Sequence, residues 1–315
     1  MLNRRHLRIK VLQSLYAYFQ SNEENIQTVE KQLLQSIERI YDLYLFLLLS
    51  FDEIVEISEQ KIEESKTKKR TIQSELEPNL KFVQNVVLRK ISESKQLREA
   101  SERNKVNWIG ADHREMFKKI VTSIRENETY VIYMHNSERS FEEDKNLICD
   151  IFKSEIANSP LIYNFFEEKS IHWIDDIDLV CSMVLKTIKS IKEDDAFEIL
   201  SLYKDEEDEI SFVKTLVRKT IAMDKENLHL IDELTKNWEL DRIARMDIIL
   251  MKMAITELQV FPNIPKKVTL NEYIEISKFY STPKSSGFIN GILDKAVEQL
   301  HQENKIVKIG RGLMD

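Results

Sequence analysis

The 315-residue sequence predicts an all-α protein, and three observations predict it. It contains only 5 Gly and 5 Pro, so residues suited to tight turns are scarce. Hydrophobic residues make up 42% and charged residues 32%, spread over long stretches with no helix breaker. Within those stretches apolar residues recur at spacings of three and four, the period of a helix with one buried face.

Composition also removes several classes of function. No glycine precedes Gly110 and none lies between Gly110 and Gly287, which excludes a dinucleotide fingerprint and a P-loop. The 6 His include no HExxH or paired Cys/His pattern, so neither a metal nor any other cofactor is expected. Cys149 and Cys181 stand in apolar surroundings and read as free thiols of a reducing compartment. The charged start is unlike a secretory signal, and the run Leu43 to Phe51 is too short to span a bilayer. A cytoplasmic protein with no membrane contact follows. A net charge of −8 argues against general affinity for nucleic acid, so RNA binding requires a local basic patch.

Residues 1–20 read as a first helix with Leu7, Val11, Leu12, Leu15, Tyr18 and Phe19 on its apolar face. Arg4 and Arg8 fall on nearly the same angular line as Val11 and Leu15. The expectation is that the first turns project beyond the body while the later turns pack. Arg4, Arg5, His6, Arg8 and Lys10 precede any acid, an arrangement that opposes the helix dipole.

Residues 26–64 read as one long helix or a bent pair, on the spacing of Val29, Leu33, Ile37, Ile40, Tyr44, Leu47 and Phe51. Its wide apolar face indicates several packing partners. The basic cluster Lys66, Lys68, Lys69 and Arg70 follows, and the stretch Ser74 to Pro78 is a break. Single helices are expected over Leu80–Asn104, Asp112–Tyr133 and Glu142–Ile156. A break at Asn158–Pro160 precedes the apolar run Leu161–Phe166. Asp175 or Asp176 is placed to cap a helix carrying Val180, Met183, Val184 and Ile188. Acidic runs near Asp195 and Asp205 mark a solvated connection.

Glu209 to Lys236 is helical again. Then Ile243, Met246, Leu250, Met253, Ala254 and Leu258 share one face of a helix that Phe261-Pro262-Asn263-Ile264-Pro265 ends. A shorter helix carries Ile274, Ile276 and Phe279. Thr282-Pro283 opens a last helix with Phe288, Ile292 and Ala296 in line, beside Ile289, Leu293 and Val297.

The two ends of the chain resemble the NusB family of bacterial transcription antitermination factors. The motifs are Trp238-x-x-Asp241-Arg242-Ile243, Glu257-Leu258, Ile264-Pro265, Asn271-Glu272 and Phe288-Ile289-Asn290-Gly291-Ile292-Leu293-Asp294-Lys295. Arg4-Arg5-x-x-Arg8 followed by Gln13-x-Leu15-Tyr16 is similar to that family's N-terminal arm. The resemblance covers residues 1–20 and about 209–300 and implies a NusB-like helical bundle with an added helical segment. The expected organisation is an arginine-rich helix over 1–29, an inserted or extended segment over 30–208, a C-terminal bundle over 209–303 and a flexible tail over 304–315.

The resemblance further implies a non-enzymatic adaptor. NusB pairs with NusE, a small-subunit ribosomal protein, on boxA-type RNA within the transcription elongation complex, in support of ribosomal RNA transcription. Arg4, Arg5, His6, Arg8 and Phe288 are the expected RNA-binding residues, and Tyr16 and Asp247 the expected partner-binding residues, Asp247 as an exposed carboxylate. Phe288 has two readings, base stacking or packing beside Ile292. Lys284 and Gly287 depart from the family, where many members have an acid and a basic residue. A homodimer stays open. The alternative function is a helical protein–protein scaffold whose NusB-like core has lost RNA competence. An RNA methyltransferase with a NusB-like domain is disfavoured, because no glycine-rich strand–turn–helix sequence is present.

Overall fold

A computed structural model describes residues 2–21, 25–66, 78–137, 139–236 and 242–313. The anticipated basic residues Lys68, Lys69 and Arg70, most of the break before Pro78, and the motif residues Trp238 and Asp241 lie outside the described residues. Among the described residues there is no strand, and the protein is all-α. No helix among the described residues is long and apolar enough to cross a membrane.

The chain divides into two compact units. One is continuous, Glu38–Leu202; the other joins Leu2–Ile37 to Tyr203–Asp315. Helix α2 (Ile26–Lys66) contributes residues to both.

In the continuous unit, α2 supplies Leu43, Tyr44, Leu45, Phe46, Leu47, Leu48 and Phe51, all buried. Burial on every side is the signature of an interior helix. The Phe46 ring sits 4.9 Å from Trp108 and 5.7 Å from Trp173, edge to face in both cases. Both indoles are satisfied: Trp108 donates to the Phe46 carbonyl at 2.9 Å and Trp173 to the Arg39 carbonyl at 2.7 Å.

The expected helix over Leu80–Asn104 is two helices, α3 (Val86–Ser92) and α4 (Lys95–Asn104). Asn85 and Ser94 each cap one, accepting from Leu88 N and Leu97 N, and an internal cap sets a new helix start. Asn127 divides the next expected helix in the same way, into α5 (Ala111–Glu126) and α6 (Glu128–His135). Helix α7 (Phe141–Ile151) runs into a π-helical turn over Phe152–Ala157. Pro160 then opens α8 (Pro160–Lys169). Helix α9 (Ile177–Ser190) begins at Asp176, whose side chain makes no capping hydrogen bond. Lys81 is buried here, with Nζ donating to the Tyr133 and Asn136 carbonyls and to Glu143.

The second unit is built around one helix. Its members are α1 (Arg4–Gln20), α10 (Glu206–Ala222), α11 (Asp224–Leu234), α12 (Arg245–Val260), α13 (Lys266–Tyr280) and α14 (Ser285–Gln302). Helix α12 is buried without interruption from Ile249 to Leu258. Helices α10, α11, α13 and α14 pack on it, and α1 lies against α10, α12 and α13. Pro262 and Pro265 end α12 and turn the chain into α13, as their missing donors and restricted geometry require. Phe279, expected on the apolar line of α13, is 82% exposed. The buried line of that helix runs instead through Thr269, Tyr273, Ile276 and Ser277.

Candidate nucleic-acid interface

Helix α1 starts at a reciprocal cap. Asn3 Oδ1 accepts from His6 N at 3.0 Å, and the Asn3 backbone N–H donates to His6 Nδ1 at 3.3 Å. This fixes the His6 ring against its own helix and sets the direction in which the arginines leave it. Burial, and next the charge of Arg5, lowers the His6 pKa below its ordinary value.

The three arginines have three different environments. Arg8 is 2% exposed, so the expectation that the first turns project away from the body fails at this residue. The reason is a counter-charge on the facing helix. Arg8 Nε and Nη2 donate to the two carboxylate oxygens of Glu257, each at 2.7 Å. The same carboxylate accepts from Thr269 Oγ1 at 2.8 Å and from the Tyr273 hydroxyl at 3.1 Å. Four donors around one buried carboxylate meet the requirement for placing a charge in a core. Burial lowers the Arg8 pKa, but the hydrogen bonds to Glu257 and its charge outweigh that and raise it above the ordinary value. Burial together with the Glu257 charge raises Tyr273 well above its own.

Arg5 is half-exposed and forks onto Glu272, at 2.9 Å from Nε and 2.8 Å from Nη2. That hydrogen bond, opposed by burial and helped by the charges of Arg5 and Arg8, lowers the Glu272 pKa. Arg4 pairs with Asp208, and its guanidinium lies 4.0 Å over the Phe212 ring. Arg4, Arg5 and Arg8 edge a cleft of about 810 Å3, with Asp208, Glu272 and Arg311 on its other sides.

The remaining expected site residues lie elsewhere in the unit. Phe288 is half-buried near the start of α14, beside a separate hollow of about 240 Å3 that Gly287, Gly291 and Lys295 also line. It does not line the arginine cleft. Tyr16 is 40% exposed on α1. Asp247 is not the exposed carboxylate the sequence suggested: it is 4% exposed. It accepts from the Ser281 hydroxyl and, at 2.7 Å, from the Ser285 hydroxyl, which ties the start of α14 to α12.

Sequence reading missed Asp208, Glu272 and Arg311 as neighbours of the arginines, and Glu257 as the group that holds Arg8. The available signal for Glu257 was an acid in the last turn of a largely apolar helix.

The fold and site therefore define a strand-free helical bundle whose first helix is locked by an internal arginine–glutamate pair and edged by a cationic cleft. The pattern of the NusB family matches residues 177–298. A transcription antitermination protein NusB of Natranaerobius thermophilus is 36% identical over 118 residues, which is 36% of this chain and 82% of that protein. The NusB of Salinibacter ruber is 43% identical over 103 residues, 33% of this chain and 64% of that protein. The NusB of Chloroherpeton thalassium is 49% identical over 79 residues, 25% of this chain and 37% of that protein. The match thus spans less than two thirds of the last two relatives. No solved structure matches. The chain belongs to the NusB family.

Proposed function

We propose that this chain is a transcription antitermination factor that binds boxA-type RNA at the cleft edged by Arg4 and Arg5. The carrying observation is that pair of half-exposed arginines on a cleft in a NusB-family chain. Guanidinium groups in ion pairs with acids are already oriented, and phosphate oxygens can take the place of, or share with, those carboxylates. His6 sets the arm through the cap, and Arg8 acts from below, holding α1 on the bundle.

Phe288 stacks an unpaired base at the second hollow, where its half-exposure suits it to one face of contact. The ribosomal partner NusE docks on the face that carries Tyr16. Asp247 supports that docking indirectly, by positioning α14 through Ser281 and Ser285. Family membership makes the chain a non-enzymatic antitermination factor, and it supports reading it as an adaptor that acts in the cytoplasm within the elongation complex.

The test is a gel shift of boxA-type RNA with the full chain, with and without NusE. A shift that NusE strengthens and that Arg4→Ala/Arg5→Ala weakens supports the reading. An unshifted RNA under both conditions leaves the chain a scaffold and overturns it.

A further inference from the structure

We propose that Arg311, from the segment beyond the family match, is a phosphate-binding residue of the same cleft, and that its ligand is the backbone of single-stranded RNA. The inference rests on the RNA-binding reading above.

The arginines of α1 are each engaged by an acid: Arg4 by Asp208, Arg5 by Glu272 and Arg8 by Glu257. Arg311 lines the cleft, is exposed, and has no ion pair or hydrogen bond among the described residues. Among the described residues it is therefore the cation of this cleft whose charge is available without breaking an existing pair. A phosphate meeting Arg4 or Arg5 competes with a carboxylate already in place, whereas one meeting Arg311 breaks no pair among the described residues.

The position of Arg311 is built. Residues after α14, expected as a flexible tail, turn back on the loop that ends α12. Ile309 N donates to the Pro262 carbonyl at 3.1 Å, and Lys308 Nζ to the Phe261 carbonyl at 3.0 Å. Gly310 takes φ +52°, a left-handed turn that glycine makes without strain. Gly312 is buried, and a Cβ there would run into the Pro262 carbonyl oxygen. Two glycines with separate steric reasons thus bracket Arg311 and hold it at the cleft edge.

The shape of the cleft favours a strand over a lone anion. About 810 Å3 is far more room than one phosphate fills, and Ile264, Pro265 and Val268 give it an apolar wall. A cationic edge beside an apolar wall suits the backbone and the faces of unpaired bases together.

The experiment is fluorescence anisotropy of the full chain with a labelled single-stranded RNA carrying a boxA-type element, over a salt series. Wild type, Arg311→Ala, Arg311→Lys and Arg4→Ala/Arg5→Ala are compared. Arg311→Ala is expected to flatten the slope of log K against log salt by about 0.7, the value for one phosphate contact on a single strand. Arg311→Lys retains the slope, and melting curves of both variants match wild type because the side chain is exposed. An Arg311→Ala slope equal to wild type, with the double variant flattened, overturns this inference and leaves the RNA reading standing. Wild type that fails to bind overturns both.

Discussion

Arg8 and Glu257, 249 positions apart in sequence, form a two-pronged ion pair at 2.7 Å inside the second unit. An arginine expected from its basic N-terminal arm to meet a ligand is instead the pin joining α1 to α12. Loss of RNA binding in an Arg8 variant therefore reports first on the fold.

Arg8→Met is expected to lower the unfolding free energy by about 3–5 kcal/mol, since it strands the Glu257 carboxylate in the core. Adding Glu257→Gln recovers part of the loss, because the neutral amide strands no charge, its oxygen accepting from one of the Thr269 and Tyr273 hydroxyls and its NH2 donating to the other. Urea titration followed by circular dichroism measures both. Equal stability of Arg8→Met and wild type would show that the pair does not hold the bundle.

The Arg4→Ala/Arg5→Ala variant is expected to behave in the opposite way. Both side chains are about one-third or more exposed, so their ion pairs contribute only about 1 kcal/mol or less each. The melting temperature should stay close to wild type while the salt slope of RNA binding flattens. A melting temperature that falls as far as in Arg8→Met would make these arginines structural too.

Charge reversal at Asp247 is expected to destabilise the protein. Asp247→Lys removes the acceptor of two serine hydroxyls and buries an unpaired ammonium, with a loss of about 2 kcal/mol or more. Reduced capture of NusE by this variant would then follow from a displaced α14. Thermal melting run beside the pull-down separates the two causes, and an unchanged melting curve would restore Asp247 as a direct contact.

Asp52 gives the continuous unit a pH dependence. Burial raises its pKa to about 7, Arg98 opposing, and its Oδ1 is buried without a hydrogen-bond partner among the described residues. The folded state keeps this proton to higher pH than the unfolded state does. Stability therefore falls as pH rises from about 4 to about 7 and is level above that, a change on the order of 2–4 kcal/mol. Asp52→Asn should be more stable than wild type at pH 8 and no different at pH 4. Burial also raises Asp42 and Glu53, so a shallower slope remains in the variant. Parallel stability curves for variant and wild type across this range would show that Asp52 ionises normally.

What the sequence made legible was local. The periodicity of Ile243 to Leu258 gave α12, and the two prolines after it gave its end. Thr282-Pro283 placed the start of α14 within a few residues of Ser285. Where helices were expected to run through Ser94 and Asn127, a single polar side chain outweighed the apolar spacing around it, since capping needs only one well-placed oxygen. The site was legible as a cluster of arginines but not as a set of pairs. Arg5 and Glu272 are 267 positions apart, and no spacing rule connects residues at that distance. The same limit explains Phe279, whose helical phase matched Ile276 while the neighbouring elements left it in solvent.

The second unit is assembled from two stretches of chain with residues 38–202 between them, and this orders events during synthesis. At about 5–20 residues per second, Glu257 leaves the ribosome about 12–50 s after Arg8, given their separation of 249 positions. Until α10 and then α12 emerge, α1 carries Leu7, Val11 and Leu15 without the helices that cover them. Residues 38–202 leave the ribosome before α10 and α12 do, so the continuous unit has all of its chain available while α1 still waits for its partners. Helix α1 is made before the helices it packs on and waits for them, and a chaperone that recognises short apolar helices has its longest opportunity there.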